Sequence, residues 1–294
     1  MRVWTILTVS AFAAQAQYVA AADDAIALKA SSPWNLSYDE QGCALARKFG
    51  DGDRAVISRF SKYEPSTSME IVLLGKILEP EGYSFEAAFM PGDEPYKHEN
   101  AMYGKGDAGT SWQFTTGLIP HEEFDELIET KPVDRHLMAR REEERAAQVT
   151  QLTITKGIGE PVTLELGDMA KPMAAMDTCI DDLIASWGFD PQVQRNLSQP
   201  PEPINRPDRW IRPIDYPRNA MRNGISGQVR FRLNISADGD VTDCTIQSAM
   251  SDFSFQETTC RLVTERAKFT PGLDQTGQPV ASFWASTVAF VAAR

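Results

Sequence analysis

The chain has 294 residues, 42% of them hydrophobic, and a formal net charge of -12 at pH 7. This length suits two domains of ordinary size, roughly 100–200 residues each. An acidic chain without basic clusters is a poor match for nucleic acid, so we exclude that class of partner.

The first 22 residues are typical of a secretory signal: a basic start, an apolar core over residues 3–14, and small residues at candidate cleavage sites. A membrane span needs about 20 apolar residues. Gln15 and Gln17 interrupt the apolar run too early for that. We therefore favour an exported, cleaved protein over one retained as an inner-membrane anchor.

Residues 30–190 are predicted to form one β-rich domain. Short segments of apolar and polar residues recur there, separated by turns such as Gly50-Asp51-Gly52-Asp53. The predicted strands are residues 34–38, 43–49, 55–60, 69–77, 83–90 and 111–116. Many short strands with turns between them indicate an antiparallel sheet, a sandwich or an open barrel.

Two charged helices should follow, at residues 122–128 and 134–148. The second is dominated by alternating charge, which is typical of a solvated helix face, with partner binding as the alternative. Residues 151–155 and 161–166 then predict a hairpin through Gly157-Ile158-Gly159, a turn that lacks the third glycine of a phosphate loop.

A helix should close this domain, because apolar residues recur at helical spacing before Gly188. The stripe consists of Met176, Cys179, Ile180, Leu183, Ile184 and Trp187. We expect this stripe to pack on the sheet. Residues 191–213 are rich in proline and predict an extended, semi-rigid linker without a hydrophobic face to bury, with the domain boundary near residue 200.

The last predicted domain, residues 214–294, combines helices and strands. Pro217 and Gly224 flank a short helix. In residues 228–235, apolar side chains alternate with Gln228, Arg230, Arg232 and Asn234, which predicts a strand with one face in water. Asp238-Gly239 predicts a hairpin turn to a return strand at residues 241–248.

A capping box at residues 254–257 starts the next helix, which Pro271 and Gly272 should end. Residues 277–290 are the last predicted strand. The whole chain is thus predicted to be α+β, with a mainly antiparallel N-terminal domain and closing helix, followed by a small domain of helices on an antiparallel sheet.

Several short motifs of the last domain occur together in one order: Tyr216-Pro217, Gly224-Ile225-Ser226-Gly227, Asp238-Gly239, Phe269-Thr270-Pro271 and Gly277-Gln278-Pro279-Val280. With this set, residues 205–294 resemble the C-terminal domain of the TonB family of energy transducers. The resemblance implies a sheet edge that captures a short extended peptide from an outer-membrane transporter by strand addition.

Residues 281–289 are the expected edge strand, with Ser282, Trp284, Ser286 and Val288 tuning selectivity for the partner. The alternative is that Trp284 and Val288 fill the core. A homodimer through the same edge is a further hypothesis.

The chain departs from a transducer of this family, which carries a membrane helix and a long rod. We therefore expect a non-enzymatic periplasmic protein that binds a peptide or envelope partner, linked to transport across the outer membrane. The alternative is a structural or scaffold protein of the envelope with no role in transport.

Four cysteines in an exported chain indicate disulfides, with three connectivities open. We favour Cys244–Cys260, which would pin a helix onto the sheet, and Cys43–Cys179 within the N-terminal domain. No Cys-x-x-Cys is present, and the scattered histidines His98, His121 and His136 are expected at the surface. We expect no metal, cofactor or catalytic residue; the acidic pairs Asp51/Asp53 and Asp181/Asp182 are interpreted as a turn and a solvated helix side.

Overall fold

The computed structural model describes residues 25–82, 84–130, 133–250 and 253–292. The expected signal segment, residues 1–22, therefore lies outside the described residues. None of the helices in the described ranges combines the length and the apolar character needed to cross a membrane.

The N-terminal part consists of eleven described strands and three α-helices. The strands are β1 (Ile26–Lys29), β2 (Asn35–Asp39), β3 (Gly42–Phe49), β4 (Val56–Lys62), β5 (Ser68–Gly75), β6 (Glu86–Met90), β7 (Tyr96–Lys97), β8 (Met102–Gly106), β9 (Gly109–Gly117), β10 (Gln151–Lys156) and β11 (Val162–Glu165). The helices are α1 (His121–Glu129), α2 (Arg135–Ala146) and α3 (Ala170–Ser186).

These strands form two sheets that share one hydrophobic core. The first is antiparallel, in the order β2-β3-β4-β5-β9-β8; the second has the order β1-β11-β10-β6-β7, with β1 parallel to β11. Aromatic side chains join the sheets: the rings of Phe60 and Phe89 lie 5.8 Å apart and those of Phe85 and Trp112 lie 4.5 Å apart. The predicted hairpin through Gly157 is present as the antiparallel pair β10 and β11.

Helix α3 closes this part of the molecule, as its apolar stripe predicts. Its residues Met176, Cys179, Ile180 and Ile184 are buried in the shared core. Cys179 forms a disulfide with Cys43 of β3, which ties the helix to the first sheet.

The prediction of a solvated face for the charged helix is wrong for two residues of α2. Glu142 and Arg145 are only 7% and 8% exposed. Glu142 Oε1 accepts a hydrogen bond from Lys62 Nζ at 2.8 Å, and Arg145 donates to the backbone oxygens of Leu118 and Pro91. Buried charges are tolerated when they are paired in this way, and burial raises the pKa of Glu142.

The expectation that all three histidines lie at the surface is also wrong. His98 is 8% exposed, and its Nε2 lies 3.1 Å from the backbone oxygen of Ala87. Burial lowers the pKa of this imidazole, because a charged ring would be poorly solvated there. His121 lies beside it in the fold, with Nδ1 2.9 Å from Asp93 Oδ1.

The rest of the described chain begins at residue 191. Its elements are α4 (Pro191–Arg195), β12 (Glu202–Pro203), α5 (Arg218–Arg222), β13 (Gly227–Ile235), β14 (Val241–Met250), α6 (Phe253–Arg266), β15 (Phe269–Thr270), β16 (Gly272–Leu273), β17 (Pro279–Val280) and β18 (Ser282–Phe290).

The proline-rich segment is more folded than an extended linker. It contains α4, and its strand β12 pairs with β15 of the C-terminal part. Trp210 is 3% exposed, packs against Phe269, and donates from Nε1 to Asn205 Oδ1 at 2.9 Å. The expected lack of a hydrophobic face is therefore wrong, because burial of this indole gives the segment its own anchor. The domain boundary near residue 200 stays a prediction.

A three-stranded antiparallel sheet, in the order β14-β13-β18, is the centre of the C-terminal part. Gly239 forms the predicted hairpin turn with φ at +86°, where a Cβ would meet the oxygen of Phe269 at 2.2 Å. Helix α6 packs on one face of the sheet with Phe255, Leu262 and Val263 buried. Helix α6 and β14 are joined by the disulfide Cys244–Cys260.

Candidate functional site

The outer edge of β18 is the candidate site. The strand pairs with β13 along its whole length, from Ser282 opposite Ile235 to Phe290 opposite Gly227. Among the described strands, no second one pairs with β18. Its other row of backbone N–H and C=O groups is therefore not used in a sheet, which is the arrangement that accepts a guest strand.

The side chain of Gln194 contacts the start of this edge. Gln194 of α4 is buried, and its Nε2 donates a 3.0 Å hydrogen bond to the backbone oxygen of Ala281, directly before β18. The edge is thus capped at the beginning of the strand by a side chain, while the rest of β18 has a single neighbour among the strands that the structure describes.

The predicted selectivity residues share the side of β18 that faces the core. Ser282 is fully buried, and Val288 packs on the cluster around Val229 and Phe255. The Trp284 ring lies 5.4 Å from the rings of both Trp210 and Phe269. Trp284 and Val288 therefore fill the core, the alternative that the sequence left open. A role in partner binding for all four residues, Ser282, Trp284, Ser286 and Val288, stays a prediction.

The opposite face of the sheet contacts the N-terminal part of the molecule. The Phe283 ring of β18 lies 5.2 Å from Trp187 and 5.7 Å from Phe189. The prediction that β13 has one face in water is therefore wrong, because this face is covered by residues far away in sequence. A signal was present in β18, where apolar residues occur on both sides of the strand, a pattern typical of a strand buried on both faces.

Polar contacts also join this face of the sheet to the N-terminal part, and the whole contact region is called the junction. Arg230 Nη2 lies 2.5 Å from Glu64 Oε1, and its guanidinium lies 5.0 Å from the centre of the Tyr63 ring. Gln247 of β14 donates from Nε2 to the backbone oxygen of Tyr63 at 2.9 Å.

Arg232 is the least satisfied group at the junction. It is 4% exposed, its guanidinium lies 3.8 Å from the centre of the Trp187 ring, and Nη2 donates to Thr245 Oγ1. Its Nε and Nη1 have no hydrogen-bond partner among the described residues. Burial lowers the pKa of Arg232 to about 10, so the group remains charged at neutral pH.

A cavity of about 170 Å³ lies against β18 and is called the edge slot here. Phe283, Trp284 and Ala285 all line it. Since side chains of successive strand residues point to opposite faces, a cavity that touches three in a row follows the edge of the strand. The facing wall comes from the N-terminal part through Glu64, Pro65 and Arg135, and from the proline-rich segment through Gln194, Leu197, Pro200 and Pro201.

One aspartate of each acidic pair singled out in the sequence has a basic partner. Asp181 pairs with Arg195 at 2.5 Å, and Asp53 pairs with Lys76 at 2.8 Å on the surface. Across the ranges that the structure covers, no three His, Cys, Asp or Glu side chains come together as a metal ion would require.

Comparison with known protein families finds a match in the C-terminal part. Residues 212–291 match the family model of the Gram-negative bacterial TonB protein C-terminal. The resemblance expected from the sequence motifs is confirmed over this range. No curated protein matches the chain.

Proposed function

Since residues 212–291 form a TonB C-terminal-like domain, we propose that the protein captures a short extended peptide of an envelope partner at the outer edge of β18. The proposed partner is an outer-membrane transporter, and the proposed compartment is the periplasm. The role is binding, with no reaction catalysed. We also retain the division into residues 30–190, 191–213 and 214–294 as part of this proposal.

One observation carries the proposal: β18 is paired on one side and has no strand neighbour on the other among the described residues. A guest strand there would gain main-chain hydrogen bonds along the nine residues of β18. This kind of affinity comes from the backbone, so it does not depend on the core-facing side chains of Ser282, Trp284, Ser286 and Val288.

The proposal is limited to capture and does not extend to energy transduction. A folded two-sheet assembly precedes the TonB-like domain in the described residues, in place of the long rod that the resemblance implies. That assembly also contacts the sheet of the TonB-like domain through Phe283 and Arg230.

The same contact supports a second candidate, a scaffold protein of the envelope. In that case the two parts of the chain present one joint surface to another envelope component, and no transporter is involved. Full-length mature protein, used as bait in a detergent-solubilised bacterial envelope fraction, separates the two candidates. Retention of outer-membrane transporters supports the first; retention of other envelope proteins alone supports the second.

Strand addition itself is tested with backbone-methylated peptides. Extended peptides from a retained transporter would be synthesised in two series, with N-methyl groups on the odd or on the even residues. Because a strand points alternate N–H groups to each side, we expect one series to lose binding to the full chain and the other to keep it, as measured by fluorescence anisotropy. Equal binding of both series would rule out pairing with β18.

A further inference from the structure

We infer that the edge slot selects a guest strand that carries a carboxylate side chain, and that Arg135 of the N-terminal part recognises it. This inference rests on the proposed capture of an extended peptide and adds the chemistry of the peptide. It also makes the binding site a joint product of both parts of the chain, since the TonB-like domain alone supplies only one wall of the slot.

The slot lies in the path of a guest strand that pairs with β18. Its sheet side is Phe283, Trp284 and Ala285, so a guest that pairs with this part of β18 passes directly through it. Its facing wall includes Pro65, Leu197, Pro200 and Pro201. Three of the seven wall residues are prolines, which lack an N–H and cannot donate to a guest strand. At these three positions only side chains and carbonyl groups can contact a guest.

The charged residues of the slot favour a guest side chain with a negative charge. Glu64 is already engaged by Arg230 at 2.5 Å. Arg135, the first residue of α2, forms no ion pair with any described residue and is exposed at the slot. Asp134, its neighbour in the chain, is turned to the helix and accepts from the backbone N–H of Leu137 at 2.8 Å. The Glu64 carboxylate also acts electrostatically on Arg135, so two cations share one carboxylate at the slot, and Arg135 has no ion pair of its own among the described residues.

The hydrogen bond of Gln194 limits where a guest strand can pair with β18. Gln194 occupies the backbone oxygen of Ala281, so a guest strand meets an obstacle immediately before β18. Pairing is thereby confined to residues from the start of β18 onward. One end of the guest strand therefore lies beside the beginning of β18. The guest residue that faces Arg135 lies at that end. An Asp or Glu at this end gains a charge-assisted hydrogen bond that an Asn or Gln cannot form with equal strength.

The test uses the full mature chain and a displayed library of random decapeptides. Peptides selected on the wild type and on Arg135→Gln are sequenced. One selected acidic peptide is then compared with its Asp→Asn or Glu→Gln counterpart by fluorescence anisotropy. Arg140→Gln is the matched control, because Arg140 is exposed on the same helix but does not line the slot.

We expect the wild type and Arg140→Gln to bind the acidic peptide about fivefold more tightly than its amide counterpart, the size typical of one exposed charge pair. In Arg135→Gln this preference should disappear, while the amide peptide binds as before. Unchanged thermal unfolding of Arg135→Gln shows that the variant is folded.

The two proposals fail in different ways. If peptides bind at β18 by the alternate N-methyl criterion but Arg135→Gln keeps the acidic preference, or the wild type shows none, this inference is wrong and the proposed capture stands. If no selected peptide binds at β18, the proposed capture is itself wrong, and the inference falls with it.

Discussion

At the scale of single residues, the junction between the two parts of the chain is held by a mixture of satisfied and unsatisfied polar groups. Arg230 has Glu64 as an ion-pair partner, whereas Arg232 is buried with two donor nitrogens unpaired. Trp187 compensates in part, since its ring lies 3.8 Å below the Arg232 guanidinium and attracts the cation. An unpaired buried donor still costs about 1–3 kcal/mol, so this residue lowers the stability of the docked arrangement.

We predict that Arg232→Met stabilises the protein. Methionine has a similar reach, fills the same space over Trp187, and needs no hydrogen bonds. The free energy of unfolding should rise by about 1–2 kcal/mol, as is common when buried charges are replaced by apolar groups. Urea unfolding of the full chain measures this change.

Arg230→Met is the matched control on the same strand. It leaves Glu64 without its partner, so stability should fall by about 1 kcal/mol. A loss of stability in Arg232→Met as large as that in Arg230→Met would show that the contact of Arg232 with Trp187 outweighs its missing hydrogen bonds.

At the scale of elements, covalent links hold each helix layer to its sheet. Cys43–Cys179 joins β3 to α3, and Cys244–Cys260 joins β14 to α6. The two links differ in the length of chain that they close, with sequence separations of 136 and 16 residues. In the chain-entropy account, the longer loop restricts the unfolded state more strongly.

We predict that the double variant Cys244→Ala/Cys260→Ala loses about 3 kcal/mol of unfolding free energy, the value for a loop of this length. The corresponding variant Cys43→Ala/Cys179→Ala should lose more, about 4–5 kcal/mol. Urea titrations followed by tryptophan fluorescence compare the two. The reverse order would mean that packing around the bridges, and not loop entropy, determines their contribution.

At the scale of the whole molecule, the two parts of the chain dock through two aromatic ring contacts and several polar ones. Phe283 lies against Trp187 and Phe189, and this is the main apolar contact described for the sheet face. Further contacts are the Arg230–Glu64 pair, the contact of Arg232 with the Trp187 ring and the hydrogen bond of Gln247 to Tyr63. A junction of this composition resembles polar interfaces between domains, which commonly allow relative motion.

We predict that Phe283→Ala loosens this docking without unfolding either part. Loss of a partly buried aromatic side chain should cost about 2 kcal/mol. We expect a single thermal transition in calorimetry to separate into two, and small-angle scattering to show a larger radius of gyration. Thr287→Ala, an exposed position on the same side of β18, is the control and should change neither measurement. An unchanged radius of gyration in Phe283→Ala would mean that the polar contacts alone hold the two parts together.

The sequence alone predicted the longer helices and strands in their order, the hairpin at Gly239, the apolar stripe of α3 and the TonB-like character of the last domain. It did not predict β1, β7, β8, α4 or the short strands β12, β15 and β16. The favoured cysteine pairs are also the ones that the structure joins. These features depend on local chemistry: the period of apolar residues, the backbone freedom of glycine and the restriction of proline act within a few neighbouring residues.

The tertiary structure decided the rest. Arg232 and Arg230 follow the pattern of a solvated strand face, and Glu142 follows that of a solvated helix, yet each meets a partner or a covering ring from another part of the chain. The edge slot likewise joins Arg135 to Ala285, which no local pattern relates. Alternation of polar and apolar residues shows which side chains share a face. Whether water or protein covers that face depends on how distant segments pack.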